Sequence, residues 1–586
     1  MKQFFKYLLA SLTALFLFCI IVFFVFAALL GSAFQKEVAT VKANSVLKIE
    51  FSQPLDERTD NNPFKNLNLA SLKPSNQPGL NDITKCLENA AADDNIKGVL
   101  LNLNYLEGGY ASIRELRNAL IEFKKSKKYV IAYAEAYSTK AYYLASVADK
   151  VYLHPQGAVD FRGLFTQLVF FKGALEKLEI EPEIIRHGKF KSAIEPFILD
   201  KMSPENREQT STYVNAIWET LCSEIAESRN ISRADLENIA DSLTAENAND
   251  ALKLHLVDQL TYQDELDKII ATRNGDEKDK INFVSLVKYK DVPAPKSDKK
   301  ITQDRIAVIY ATGEIVSGKG ERGQMGSDNI AAAIKKARED SKVKAIVLRV
   351  NSPGGSALAS DVIWRETKLA KEAKPFIVSM GDVAASGGYY ISCLADTIVA
   401  QPNTITGSIG VFGLLMNAQK LLTNKLGLTF DTYKTGPYAD MGLPTRALTP
   451  MEREKIQKGV EEVYDTFISH VAEGRHITKA DVDSIGQGRV WSAVDAKKIG
   501  LVDMFGGLDD AVKLAAKKAG VDNYRIKELP EQKEPLQEFL EELKGESVSV
   551  MLPDYMKESL NTMRYIQHIS QKDRIQMRLP FGIVTD

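Results

Sequence analysis

Cysteine is scarce in this 586-residue chain: Cys19, Cys86, Cys222 and Cys393 stand far apart, with no C-x-x-C spacing. That excludes a zinc ribbon or a thioredoxin-like redox pair and argues against a disulfide scaffold, so the four read as small core residues. A surplus of one charge is also lacking, since 75 Lys and Arg face 77 Asp and Glu, a net −2. Nucleic-acid binders concentrate positive charge to displace counterions, so nucleic acid is not an expected partner. There is no H-E-x-x-H, no Walker A spacing and no G-x-S-x-G. No metal or cofactor is therefore expected. Long apolar runs are missing too, with one exception at the amino terminus.

What is present is the ordinary globular mix, 45% hydrophobic and 26% charged. At ~150 residues per domain, the length allows about four domains unless repeats change the count. The exceptional run is Tyr7–Gln35, 29 positions without Asp, Glu, Lys or Arg. A helix needs about 20 apolar residues to cross a bilayer. Residues 1–35 are therefore expected to form a single transmembrane anchor. Lys2 and Lys6 before it favour an inside amino end and an exported remainder. A cleaved signal peptide, processed near Gly31-Ser32-Ala33, is the alternative, but its apolar region would usually run only ~7–15 residues.

The remainder is one unit written twice. Ile96–Asn104 (IKGVLLNLN) answers Val343–Asn351 (VKAIVLRVN) at an offset of 247, and Ala148-Asp149 answers Ala395-Asp396 at the same offset. At an offset of 246, Arg229-Asn230-Ile231-Ser232 answers Arg475-His476-Ile477-Thr478. Between these points, Val214, Ile217, Trp218, Leu221 and Ile225 in one copy match Val460, Val463, Tyr464, Phe467 and Val471 in the other. Steps of three and four mark the same helix face twice. This predicts a first repeat over 45–289, a polar linker over 290–304, a second repeat over 305–532 and a tail over 533–586. Ala345–Val350, Phe376–Ser379 and Thr397–Ala400 read as buried parallel strands, with a helix near Ala359–Ala373 between the first two. Strand, helix, strand is the mark of an α/β fold with a parallel sheet.

The copies differ where chemistry needs particular atoms. The second has Asn351-Ser352-Pro353-Gly354-Gly355-Ser356, where paired glycines let backbone N–H groups face an open site; a plain tight turn is the bland reading. It also has Asp382-Val383-Ala384-Ala385-Ser386-Gly387-Gly388-Tyr389, a serine among small residues between a strand and a helix. The Gly387 N–H is placed to join an anion pocket. In the first copy Thr139 stands opposite Ser386, followed by Lys140 and Ala141 in place of glycines. A serine hydroxyl needs a base near pH 7. Six histidines are available in principle, none in a recognisable signature. Lysine is the other choice: Lys191, in GKFKSAIEPF, stands opposite Ala439. One copy keeps a candidate base, Lys191, and the other a candidate nucleophile, Ser386. Such complementary loss is what a composite site would leave.

On these residues the chain resembles the long, duplicated form of the signal peptide peptidase A family, peptidase family S49. The similarity runs from the anchor to about residue 530. It is carried by the Ser386 segment, K-S-A-x-E-P-F at Lys191 and T-G-S-I-G at Thr406–Gly410. The resemblance implies tandem Clp-protease/crotonase-like βαβ superhelix domains in a homotetrameric bowl. It implies a Ser–Lys dyad of Ser386 and Lys191, with Ser408 as a supporting hydroxyl. Gly354, Gly355 and Gly387 are the oxyanion-hole candidates. The implied activity is endopeptidase cleavage of spent signal peptides and unstructured polypeptides on the periplasmic side of a bacterial inner membrane. An anchored scaffold with a degenerate site, or a crotonase-like acyl-CoA hydratase, are the other readings.

Overall fold

The computed structural model describes residues 2–34, 40–60, 77–275, 281–295, 302–321, 323–532 and 575–579. The uncharged amino-terminal run forms a helix, α1 (Lys2–Phe34). Its described side chains end at Ile21. Among the described residues no helix is long and apolar enough to cross a membrane, and the span expected over residues 1–35 finds no support there. Residues 296–301 of the linker, and 533–574 and 580–586 of the tail, lie outside the described residues.

Each repeat builds its own sheet around continuous apolar strands. The first comprises β1 (Ser45–Glu50), β2 (Ile96–Asn102), β3 (Tyr129–Tyr137) and β4 (Lys150–Val159). A later strand, β5 (Glu181–Arg186), leaves this sheet, which is completed by β6 (Gln259–Leu260) and β7 (Asn282–Ser285) in the order β6-β4-β3-β2-β1-β7. All its pairings are parallel.

The second repeat supplies β8 (Arg305–Thr312), β9 (Glu314–Val316), β10 (Gln324–Gly326), β11 (Val343–Ser352) and β12 (Gly354–Ser356). These are followed by β13 (Phe376–Ala385), β14 (Thr397–Ala400), β15 (Ile405–Gly407) and β16 (Phe412–Asn417). Then come β17 (Val490–Ser492), β18 (Met504–Phe505), β19 (Arg525–Leu529) and, in the tail, β20 (Ile575–Arg578). The main sheet runs β17-β15-β13-β11-β8-β19, with β14 and β18 on a branch from β13. The three strands expected from sequence are β11, β13 and β14, and the intervening helix is Ala357–Ala373. Val347, Leu348, Ile377 and Val378 are fully buried, because helices cover both faces of a parallel sheet.

The duplication is visible down to helix caps. Pro204–Arg229 and Pro450–Arg475 are both 26 residues long. Each starts from an N-cap hydroxyl, Ser203 or Thr449, and each ends on a left-handed residue, Asn230 or His476. Ile217, Leu221 and Ile225 are buried on one helix, and Val460, Tyr464, Phe467 and Val471 on the other.

A third sheet, unforeseen from the sequence, joins the copies in the order β10-β9-β12-β20-β16-β5. Its β16·β5 pairing is antiparallel and runs from Phe412↔Arg186 to Asn417↔Glu181. Beneath it, Leu175, Ile194 and Phe197 of the first copy pack with Phe412 and Leu414 of the second in a small apolar core. That core seats the segment carrying Lys191. Cys86, Cys222 and Cys393 are free and buried, as their scatter predicts.

Candidate active site

Strand register brings two of the candidate hydroxyls together. In the parallel pair β13·β15, Ala385 lies opposite Gly407, so the next residues, Ser386 and Ser408, leave adjacent strand ends side by side. Both have positive φ, 56° and 51°, a region that costs a non-glycine residue of order 1–3 kcal/mol. The turn is held by Ser386 N–H donating to Gly407 C=O at 2.8 Å and Ser408 N–H donating to Arg489 C=O at 2.7 Å. Ser386 is fully buried, at the start of the short helix Gly387–Tyr390.

Lys191 reaches this point from the other copy. Its Nζ lies 2.8 Å from Ser386 Oγ, 3.0 Å from Ser408 Oγ and 3.3 Å from Ser408 C=O. The side chain is 0% exposed. Burial alone pushes the amine well below its ordinary value near 10.5, because no charged neighbour offsets the loss of water. The Phe412 ring lies 6.0 Å from the amine.

The backbone of Lys191 is fixed by contacts the sequence did not reveal. Gln209 Nε2 donates to Phe190 C=O at 3.2 Å and to Ser192 Oγ at 2.9 Å, while its Oε1 accepts from Val490 N–H at 3.0 Å. Val490 lies opposite Gly407 in β17·β15, so this buried amide ties the lysine segment to β17, the neighbour of the strand that ends just before Ser408. Gly488, at φ 81°, packs so closely that a Cβ there would meet Lys191 Cα at 2.7 Å. Only the pairing of Gln209 with a segment 281 residues away identifies it.

The oxyanion candidates separate in the structure. Gly354, at φ 97°, sits against Ser386: a Cβ on it would be 3.0 Å from Ser386 Cβ and 2.7 Å from Gly387 N. Its N–H donates to Ser352 Oγ at 3.1 Å. Gly355 packs on the Ile315 backbone of β9. Gly387 therefore lies with Gly354 beside the serine, and Gly355 is one step removed.

The residues that stand opposite Ser386 and Lys191 in the other copies lie elsewhere in the fold. Thr139 Oγ1 donates to Asp160 C=O at 2.8 Å, a structural bond within the first copy. Ala439 lies on an exposed loop. Histidine plays no part at Ser386 among the described residues. His187 stacks on Tyr464, His470 on Trp364, and His154 meets Tyr262 edge-on. His568 lies outside the described residues.

The duplicated α/β fold brings a buried serine and a buried lysine together from its two copies, and comparison with known sequences supplies the class. Residues 122–275 and 368–522, one stretch in each repeat, match peptidase family S49. The chain belongs to peptidase family S49 and is a serine-type peptidase. It is 40% identical to Protease 4 of Salmonella typhi, over 82% of this chain and 78% of that one. Protease 4 of Haemophilus influenzae is 38% identical over 74% and 72% of the two chains. The chloroplastic serine protease SPPA of Arabidopsis thaliana is 36% identical over 79% and 69%.

Proposed function

We propose that this chain is a Ser–Lys endopeptidase in which Ser386 is the nucleophile and Lys191 the general base. The observation that carries the reading is a fully buried amine, without a charged partner, 2.8 Å from a serine hydroxyl held at a strained turn. Desolvation disfavours the charged form of the amine, which suits Nζ to take the proton as Ser386 Oγ attacks a peptide carbonyl. The oxyanion forms beside Gly354 and Gly387. The lysine ammonium then passes its proton to the departing amine, which leaves an acyl-Ser386. Water, deprotonated by the same amine, releases the carboxylate product and restores both groups. Ser408 orients Nζ throughout.

Substrates on this reading are spent signal peptides and other unstructured polypeptides, because the site is enclosed between two repeats. The charge-free segment Tyr7–Gln35 supports work at the outer face of a bacterial inner membrane, and a homotetramer is the proposed assembly. The test compares Ser386→Ala with Thr139→Ala on an unstructured apolar peptide. Hydrolysis is expected to vanish in the first and persist in the second. Retained cleavage by the Ser386→Ala protein would end the assignment.

A further inference from the structure

One turn of the second copy, residues 486–490, touches both the lysine segment and the Ser408 turn. On one side Ser408 N–H donates to Arg489 C=O at 2.7 Å, and Gly488 N–H donates to Ile409 C=O at 2.7 Å. On the other side Phe190 N–H, from the first copy, donates to Gln487 C=O at 2.9 Å, and Gly488 packs on the Lys191 backbone. The turn is rooted in its own copy. Gln487 N–H donates to Tyr464 Oη at 3.2 Å, and Gln487 Nε2 donates to Asp483 Oδ1 at 2.6 Å.

The main-chain bonds at position 489 form with any residue; the arginine side chain adds something else. Its guanidinium lies 4.8 Å from the centre of the Phe190 ring, next to Lys191, and 4.4 Å from that of Trp491. Trp491 is in β17, opposite Thr406 of the strand that leads to Ser408. Arg489 also meets Glu208, on the first copy's 26-residue helix, at 2.8 Å. The Glu208 side chain is 55% exposed, and an ion pair so open to water adds little. Guanidinium is planar and weakly hydrated, so it stacks on aromatic faces as an ammonium does not. The grip therefore comes from two rings, one in each copy.

We propose that Arg489 is a positioning residue of the peptidase, its guanidinium bridging Phe190 and Trp491 so that Lys191 Nζ is held within reach of Ser386 Oγ. This rests on the reading of Lys191 as the base. Arg489 acts through Phe190, so its loss displaces the amine without removing it. A displaced amine is misaligned, and a misplacement of about 1 Å costs about 10² in rate. It also meets water, which carries its titration back toward the ordinary lysine range.

The experiment is steady-state hydrolysis of an unstructured peptide across pH by the full chain and by Arg489→Leu, Arg489→Lys and Glu208→Gln. Arg489→Lys keeps the charge but not the planar group, and it decides the matter if the leucine variant does not fold. Both Arg489 variants are expected to lose about ten- to hundredfold in kcat with KM changed less than about twofold, and their acid limb to move to higher pH. Glu208→Gln should stay within about twofold of the native rate. Native kcat in Arg489→Lys, or a fall in kcat with the acid limb unmoved, would overturn the proposal, the second being what a merely structural role gives. A Glu208→Gln protein as slow as the Arg489 variants would also overturn it, by assigning the grip to the ion pair. A native enzyme whose rate shows no acid limb would instead remove the Lys191 reading on which the proposal rests.

Discussion

At the scale of single residues, the mechanism requires Lys191 to be uncharged when Ser386 attacks. Its pKa is depressed by burial. As pH falls through that value, the amine gains a proton and can no longer accept one, so kcat/KM drops on the acid side. Stability follows with a defined sign. An unfolded lysine titrates near ~10.4, so between the depressed value and that one the unfolded chain binds a proton the folded chain lacks. Stability contributed at this site therefore rises with pH across that window. Replacing Lys191 by Met is expected to cost about 10²–10⁴ in kcat, the usual worth of a positioned base, with the fold intact. Ser408→Ala removes one orienting hydrogen bond, a loss of about 0.5–1.5 kcal/mol, and should slow turnover only several-fold. Steady-state kinetics across pH on the two variants checks both. Ser386 and Lys191 are legible in the sequence because a duplication exposes what each copy has lost. Gln209 is not, since a buried glutamine carries no local pattern and its meaning lies in the two distant segments it joins.

At the scale of elements, the two copies are fastened by a buried charge cluster. Arg349 on β11 is 0% exposed and lies between Glu57 and Glu115 of the first copy, at 2.8 and 2.9 Å. Burial raises the pKa of Glu57, against the pull of Arg349. Asp382 of β13, four residues before Ser386, receives Ser112 N–H at 2.9 Å and Ser112 Oγ–H at 2.6 Å from the first copy. Removing one partner of such a cluster leaves an uncompensated buried charge and costs ~3–5 kcal/mol. Arg349→Leu should accordingly lower the thermal unfolding midpoint by several degrees, measured by calorimetry. A midpoint unchanged from wild type would show that the cluster does not fasten the copies. Strands and helices were readable because apolar runs and three-four spacings are local. The third sheet was not, because β5, β12, β16 and β20 meet across hundreds of residues and each alone is short.

At the scale of the whole molecule, the duplication leaves one pairing unused. β5 and β16 pair within the chain. At the offset of 247 their counterparts are Leu428–Tyr433 and Phe165–Phe170, which form no strand and expose Phe165, Val169, Leu428, Phe430 and Tyr433. Exposed apolar side chains on extended segments favour pairing with another chain. In the proposed homotetramer these segments would meet, the second repeat of one chain against the first repeat of the next. Phe430→Asp should then lower the mass measured by light scattering, and an unaltered mass would place the contact elsewhere.

The central claim is that two diverged copies share one catalytic pair within a single chain. Its most direct test is the rate at which a fluorophosphonate modifies the protein as a function of pH, with the labelled residue read by peptide mass spectrometry. The account predicts modification at Ser386, an acid limb well below the ordinary lysine value, and a rate reduced by orders of magnitude in Lys191→Met. Modification at another residue, or a Lys191→Met protein labelled as fast as wild type, would contradict it.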